Sequence, residues 1–435
     1  MQAYPRYKDS GIPWLGCIPE HWDIKPGFSV FREKQVKNKD AVENRVLSLS
    51  YGKIIIKPEE KLRGLVPESF ETYQIVDRGD IIIRSTDMQN DHTSLRTGIV
   101  NNKGIITSAY ICLHSIDMKF CNYNHWLLHG LDLMKVFYGL GSGLRQNLSW
   151  IDFKRLPLPI PSQDEQIQIS RYLDWQTSKI NKFIKTKKKL LELLCERRCV
   201  ITDNAIRLPE TQHIRLGIVT RQMERSIGRR NDEVYTPIGL YNRGRGIFHK
   251  QPTKGSELGG STFYEVKEND LVFSGQFAWE GAVAIASIND DGCIASHRYP
   301  IFRGKEGIVD SAYLLAFFRT DLGDIILNHH SRGAAGRNRP LNPRTLIKEK
   351  IPIPPLLVQK DIADIVRQEI ALRQEIAKEE KLIREYRDRL ISDVVTGKVD
   401  VRSVKIPDFD SVEMEQEVEG DEEAEDELIT ESIEE

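Results

Sequence analysis

Enzymatic chemistry needs nucleophiles, acid–base pairs, metal ligands or phosphate-cradling loops at fixed spacing, and this chain offers each only in fragments. Asn342-Pro343-Arg344-Thr345 starts like the Asn/Asp-Pro-Pro-aromatic motif of adenine methylation but lacks the second proline and the ring. Gly397-Lys398 has neither the upstream glycine nor the following hydroxyl residue of a Gly-x4-Gly-Lys-Ser/Thr phosphate loop. Gly141-Ser142-Gly143 is a glycine string without the strand-to-helix setting of a dinucleotide site. His329-His330 has no carboxylate or cysteine partner in sequence to complete a metal site. Cys17, Cys112, Cys121 and Cys293 are scattered, and Cys195 and Cys199, one helical turn apart, have no second Cys or His pair after them in sequence to complete a zinc site. These six cysteines read as reduced thiols in a reducing compartment. No carboxylate cluster with a following lysine marks a nuclease. The expectation is a non-catalytic chain with no metal and no cofactor of its own.

The remaining polar chemistry suits a polyanion. The formal net charge is only −2, yet from Ile406 to Glu435 there is no Lys or Arg and there are 15 acidic residues. Without that tail, 62 basic residues face 49 acidic ones, a body of charge +13. Arginine reads guanine edges, Asn and Gln read adenine, and Lys, Arg and hydroxyls hold phosphates. In the first half the candidates are Arg84, Ser85, Thr86, Gln89 and Asn90, with Ser142, Arg145, Gln146 and Asn147. In the second they are Ser274, Gln276, Arg332, Arg337, Asn338 and Arg339. Each follows a strand-like segment or a glycine loop, where a rigid scaffold can present side chains. The competing reading of any one of them is a solvated loop residue. Lys185-Thr186-Lys187-Lys188-Lys189 is either a contact surface or a solvated helix face.

The elements that would position these residues occur twice. Leu156-Pro157-Leu158-Pro159-Ile160-Pro161 returns as Lys350-Ile351-Pro352-Ile353-Pro354-Pro355. Gly141 to Leu148 upstream of the first copy is matched by Gly333 to Leu341 upstream of the second. The alternating segment from Tyr73 to Ile83 resembles Tyr264 to Phe273, and Gly104 to Tyr110 faces Gly292 to Tyr299. Short apolar helices are predicted at Trp126–Val136 and Ala312–Leu327. Each half is therefore a globular α/β unit, a proline hinge and a long helix.

The prolines force an extended approach, and Ser162 stands three residues before Glu165 in capping-box spacing. In the first long helix Leu173, Ile180, Leu194 and Ile201 fall at multiples of seven, with Phe183 and Leu190 between them. In the second, Ile362, Ile376, Ile383 and Leu390 occupy a positions and Ile365, Leu372 and Tyr386 d positions. A helix of ~40 residues spans ~60 Å. One apolar seam apiece argues that the two helices pair antiparallel, with Lys187 and Glu369 as polar register marks; packing of each helix on its own domain is the alternative. Trp14 and Trp22 are expected to pack the N-terminal segment. The acidic tail reads as disordered, with mimicry of DNA charge as a further hypothesis.

Three motifs then resemble a known family. Tyr7-Lys8-Asp9-Ser10-Gly11-Ile12-Pro13-Trp14-Leu15-Gly16 running into Ile18-Pro19-Glu20-His21-Trp22 is similar to the opening of type I restriction–modification specificity subunits. The hinge at 156–166 resembles that family's boundary between recognition domain and helix, and Val394 to Asp400 resembles the end of its distal helix. The resemblance spans about residues 4–402 and leaves the acidic tail outside. It implies a mixed α/β fold with two target-recognition domains, 1–160 and 208–355. Two long helices, 161–207 and 356–402, would pack as an antiparallel coiled coil in a pseudo-twofold repeat, ahead of a tail at 403–435. It further implies a non-enzymatic reader of a split, asymmetric DNA site, docking two copies of an adenine-N6 methyltransferase and a restriction/translocase subunit. S-adenosylmethionine, ATP and Mg²⁺ would belong to those partners. A specificity module of a type II-like system, an orphan switching subunit and a coiled-coil scaffold without DNA are the other readings. No apolar run approaches the ~20 residues of a membrane span, and the N-terminus leads into polar sequence, so a cytoplasmic protein is expected.

Overall fold

A computed structural model describes residues 2–57, 70–86, 88, 95–140, 147–333 and 339–410. They form two compact units, one from residues 2–183 with 380–410 and the other from 184–379.

In the first unit the apolar triplet Ile81–Ile83 is buried on both faces and so sits inside a sheet. The sheet runs Phe31–Glu33, Ile111–Ser115, Ile81–Ile83, Thr97–Ile99, antiparallel throughout. Two ribbons adjoin it, Gln74–Val76 with Gly104–Ile106 and Leu47–Ser50 with Lys53–Ile56. The helix Cys121–Leu133 presents Leu127, Leu128 and Leu131 to the core. A Cβ at its Gly130 would come within 2.5 Å of Val395, so the glycine is what lets the end of the distal helix approach.

The second unit repeats the order with Thr220–Gln222, Ile301–Gly304, Leu271–Phe273 and Val283–Ile285. Among its ribbons are Phe263–Glu265 with Ile294–Ser296 and Ile238–Tyr241 with Gly246–His249. The expected helix at 312–327 is instead two helices, Ser311–Phe318 and Asp321–His330. Thr320 makes the break, its hydroxyl donating to the Phe317 carbonyl and accepting from the Gly323 amide. A side-chain oxygen that caps a new helix competes with continuation of the old one.

Both proline segments are strands rather than free linkers. Pro157–Ile160 pairs with Asp23–Pro26, and Lys350–Ile353 pairs with Gln212–Arg215, in two-stranded ribbons where a missing amide is tolerated. The same clasp follows each. Tyr123 donates to the Pro159 carbonyl and Tyr313 to that of Pro352, at 3.0 and 2.6 Å. Gln166 and Gln359 donate to the carbonyls of Pro161 and Pro354.

The long helices are Gln163–Ile206 and Leu356–Val395. Glu165 does not close the expected capping box. Its buried carboxylate accepts from Tyr4 and Trp22 and lies 2.9 Å from His21, anchoring the N-terminal segment. Trp22 is fully buried in that core and Trp14 packs against it.

Within the second unit Arg198 meets Glu369 and Lys187 meets Glu379, each at 2.9 Å, so residue numbers rise on one helix as they fall on the other. Leu173, Ile362, Ile365, Ile376 and Leu390 are buried, while Ile180, Leu194, Leu372 and Ile383 are half-buried. Phe183, Leu190 and Tyr386 depart from the expected seam, being 41, 46 and 47% exposed. The covered face of the central helix carries Ser178, Asn181, Ile184, Arg198 and Thr202 instead. A sevenfold count of apolar residues cannot register a seam that is partly polar.

Candidate nucleic-acid interface

Each unit prepares its loops from one buried aspartate at the start of the central strand. Asp80 accepts the Asp77 amide at 2.8 Å and binds Lys34, with His114 Nδ1 2.8 Å away. Asp270 accepts the Lys267 amide at 2.9 Å, two bonds from Arg225 at 2.6 and 3.1 Å, and one from Arg303 at 2.9 Å. A fully buried carboxylate needs such partners to remain charged, so the turn entering each strand is fixed by charge as well as by backbone.

At the other end of that strand the two candidate segments meet. In the first unit the Leu148 amide donates to the Ser85 carbonyl at 2.9 Å. In the second the Leu341 amide donates to the Gly275 carbonyl at 2.7 Å. The Gly275 amide in turn donates to the Arg298 carbonyl at 2.7 Å, joining a third segment. A Cβ at Gly275 would lie 2.4 Å from that carbonyl oxygen, so the approach requires glycine.

The individual candidates divide by what they already bind. Ser85 is buried and its hydroxyl donates to the Ala109 carbonyl. Ser274 is buried and accepts from the amides of Gln276 and Phe277. Both face inward, positioning their loops instead of presenting a hydroxyl outward. Arg84, Thr86 and Gln276 are half-buried, and Asn147 and Arg332 are exposed. Arg339 lays its guanidinium 5.0 Å from the centre of the Trp279 ring. Gln89, Asn90, Ser142, Arg145, Gln146, Arg337 and Asn338 lie outside the described residues.

Two residues went unmarked by sequence reasoning. Arg96 is fully buried and donates to the carbonyls of Thr86 at 2.8 Å and Arg84 at 3.3 Å, holding the first loop from beneath. Its Nε donates to the Tyr138 hydroxyl at 2.9 Å. Its amide is taken by Asp132, whose carboxyl burial pushes up to about 6. Arg298 is the second, exposed at the loop junction. An arginine preceding an apolar run carries no sequence sign that it is buried.

His330 Nδ1 lies 2.9 Å from the Thr345 hydroxyl and Nε2 3.1 Å from Glu349, tying a helix end to a turn. Among the described residues no group of three or more His, Cys, Asp or Glu could hold a metal ion. No described helix is long and apolar enough to cross a membrane. The described loop residues offer hydrogen-bonding groups, cations and a ring at the junction.

No curated protein matches the chain in sequence. A solved chain from a study of complex assembly and conformational transition of the type I R-M system is 14% identical, with a TM-score of 0.48 over 88% of this chain and 99% of its own. The HsdS subunit from Thermoanaerobacter tengcongensis is also 14% identical, with a TM-score of 0.41 over 88 and 98%. The type I restriction–modification S subunit from M. genitalium is 12% identical, with a TM-score of 0.46 over 86 and 96%. Residues 230–383 match the family model for the type I restriction modification DNA specificity domain.

Proposed function

We propose that the chain is the DNA-reading specificity subunit of a type I restriction–modification complex. Each unit reads one half of a split, asymmetric sequence through its loop junction. The observation that carries this reading is the paired main-chain bond, Leu148 to Ser85 and Leu341 to Gly275, which joins the same two polar segments in both units. The matching sheet orders, aspartate turns and tyrosine–proline clasps support a pseudo-twofold repeat of two target-recognition domains. The antiparallel ion pairs of the second unit support pairing of the long helices as a coiled coil that sets the spacer between half-sites. The adenine-N6 methyltransferase, in two copies, and the restriction/translocase subunit dock on this chain. They bring S-adenosylmethionine, ATP and Mg²⁺, and this chain itself is non-enzymatic.

Long-read methylome sequencing of cells carrying the gene with its methyltransferase partner tests the proposal. A bipartite, asymmetric N6-methyladenine motif that appears only with this chain is expected. No new motif, with the methyltransferase active beside another specificity subunit, overturns it.

A further inference from the structure

The second unit holds a cavity of about 430 Å³ between the ribbon Ile238–Tyr241/Gly246–His249 and the helix Leu356–Val395. That is the size range of small-molecule sites, ~300–1,000 Å³. One wall is apolar, with Ile247, Leu315 and Ile370, and carries the Tyr241 and Phe248 rings 4.7 Å apart. Among the other lining residues cations outnumber carboxylates.

Glu369 is the centre of that charge. It accepts from Arg198 at 2.9 Å and Arg319 at 3.0 Å and lies 3.4 Å from Arg373. Three guanidinium groups thus share one carboxylate that is only 1% exposed. Arg319 Nε and Arg198 Nη1 are buried and meet no acceptor among the described residues. Arg245 and Lys378 add two more cations to the lining, and the one other carboxylate there, Asp290, is engaged by His249 at 2.8 Å and by Ser287. Burial draws the Arg319 guanidinium down to about 10 even with Glu369 opposing. Two largely buried guanidinium groups, Arg198 and Arg319, on the one Glu369 carboxylate leave a positive charge that is costly to bury without a further anion to answer it, and natural interiors rarely leave one.

We propose that this cavity binds a small organic anion, a phosphate or carboxylate on a flat apolar body about the size of a mononucleotide. The anionic group would meet Arg319 and Arg373, and the body would lie against Tyr241 and Phe248. The site involves none of the loop-junction residues, so it stands independently of DNA reading.

Titration calorimetry and thermal melting of the full chain test it, with adenosine 5′-monophosphate, phenyl phosphate, benzoate, inorganic phosphate and adenosine as probes. At least one of the aromatic anions is expected to bind and raise the melting temperature, with adenosine, which lacks the charge, at least tenfold weaker. Binding by phosphate monoesters but not benzoate would assign a phosphate site, and the reverse a carboxylate site. Arg373→Gln, at a half-exposed position, and Ala377→Trp, which fills the cavity from its rim, should each weaken binding tenfold or more while the unliganded melt stays cooperative. No binding by any probe overturns the proposal, as does binding that both variants leave unchanged.

Discussion

Glu165 gathers three donors onto one buried carboxylate, so its contribution depends on charge and not only on shape. Glu165→Gln keeps the volume but turns an amide N–H toward groups that themselves donate. It is expected to lose about 2–4 kcal/mol in urea unfolding of the intact chain. Asp270→Ala strands two arginines beside a buried turn and should cost about 3 kcal/mol by the same measurement. The first unit also carries an acid sensitivity. Burial lowers the His129 imidazole to about 3, so between its unfolded value near 6.5 and that point the unfolded chain binds the extra proton. Stability from this group is full above pH 6.5 and falls on acidification, by about 3 kcal/mol at pH 4. Asp132, raised to about 6, acts in the opposite sense by favouring the protonated folded state below pH 6. His129→Gln should therefore flatten the loss of stability between pH 6.5 and 4, and an unchanged pH profile would refute the assignment. None of this was readable beforehand. The sequence marks Glu165 as a helix cap, Ser85 and Ser274 as outward hydroxyls and Arg96 not at all, because partners distant in the chain decide each side chain's direction.

The elements were more legible. Alternation, proline segments and the long charged helices predict the strands and both helices closely, since backbone propensity and burial agree there. Of the expected seam, Phe183, Leu190 and Tyr386 stand exposed while Ser178, Asn181 and Arg198 are covered, because the covered face is partly polar and an apolar count cannot register it. The tyrosine–proline clasp offers an element-scale test. Tyr123→Phe and Tyr313→Phe each delete one hydroxyl bond at an equivalent place, and each should cost about 1 kcal/mol. A large difference between the two would mean the clasps do unequal structural work. At the loop junction, Gly275→Val is expected to abolish methylation dependent on one half-site while leaving a cooperative melt, because a side chain there collides with the Arg298 carbonyl.

On the scale of the whole molecule, the uneven charge is plain in the sequence, whereas the division of the chain is not. Sequence boundaries at 160, 207, 355 and 402 follow the elements. The compact units instead cut through both long helices, because each helix contributes to two separate cores. Non-specific DNA binding should weaken steeply with salt if the body's charge of +13 is what phosphates meet; a flat salt response in a binding titration would contradict that. The second unit is one continuous stretch, 184–379, but the first is completed only by 380–410. Its core borrows Leu390, Ile391, Val394, Val395 and Val401 from that late segment. A ribosome adding ~5–20 residues per second delivers those side chains ~10–40 s after residue 183 emerges. During synthesis the earlier unit must wait, apolar side open, while the later one closes, so the nascent chain passes through a half-finished state that holdase chaperones or proteases can intercept.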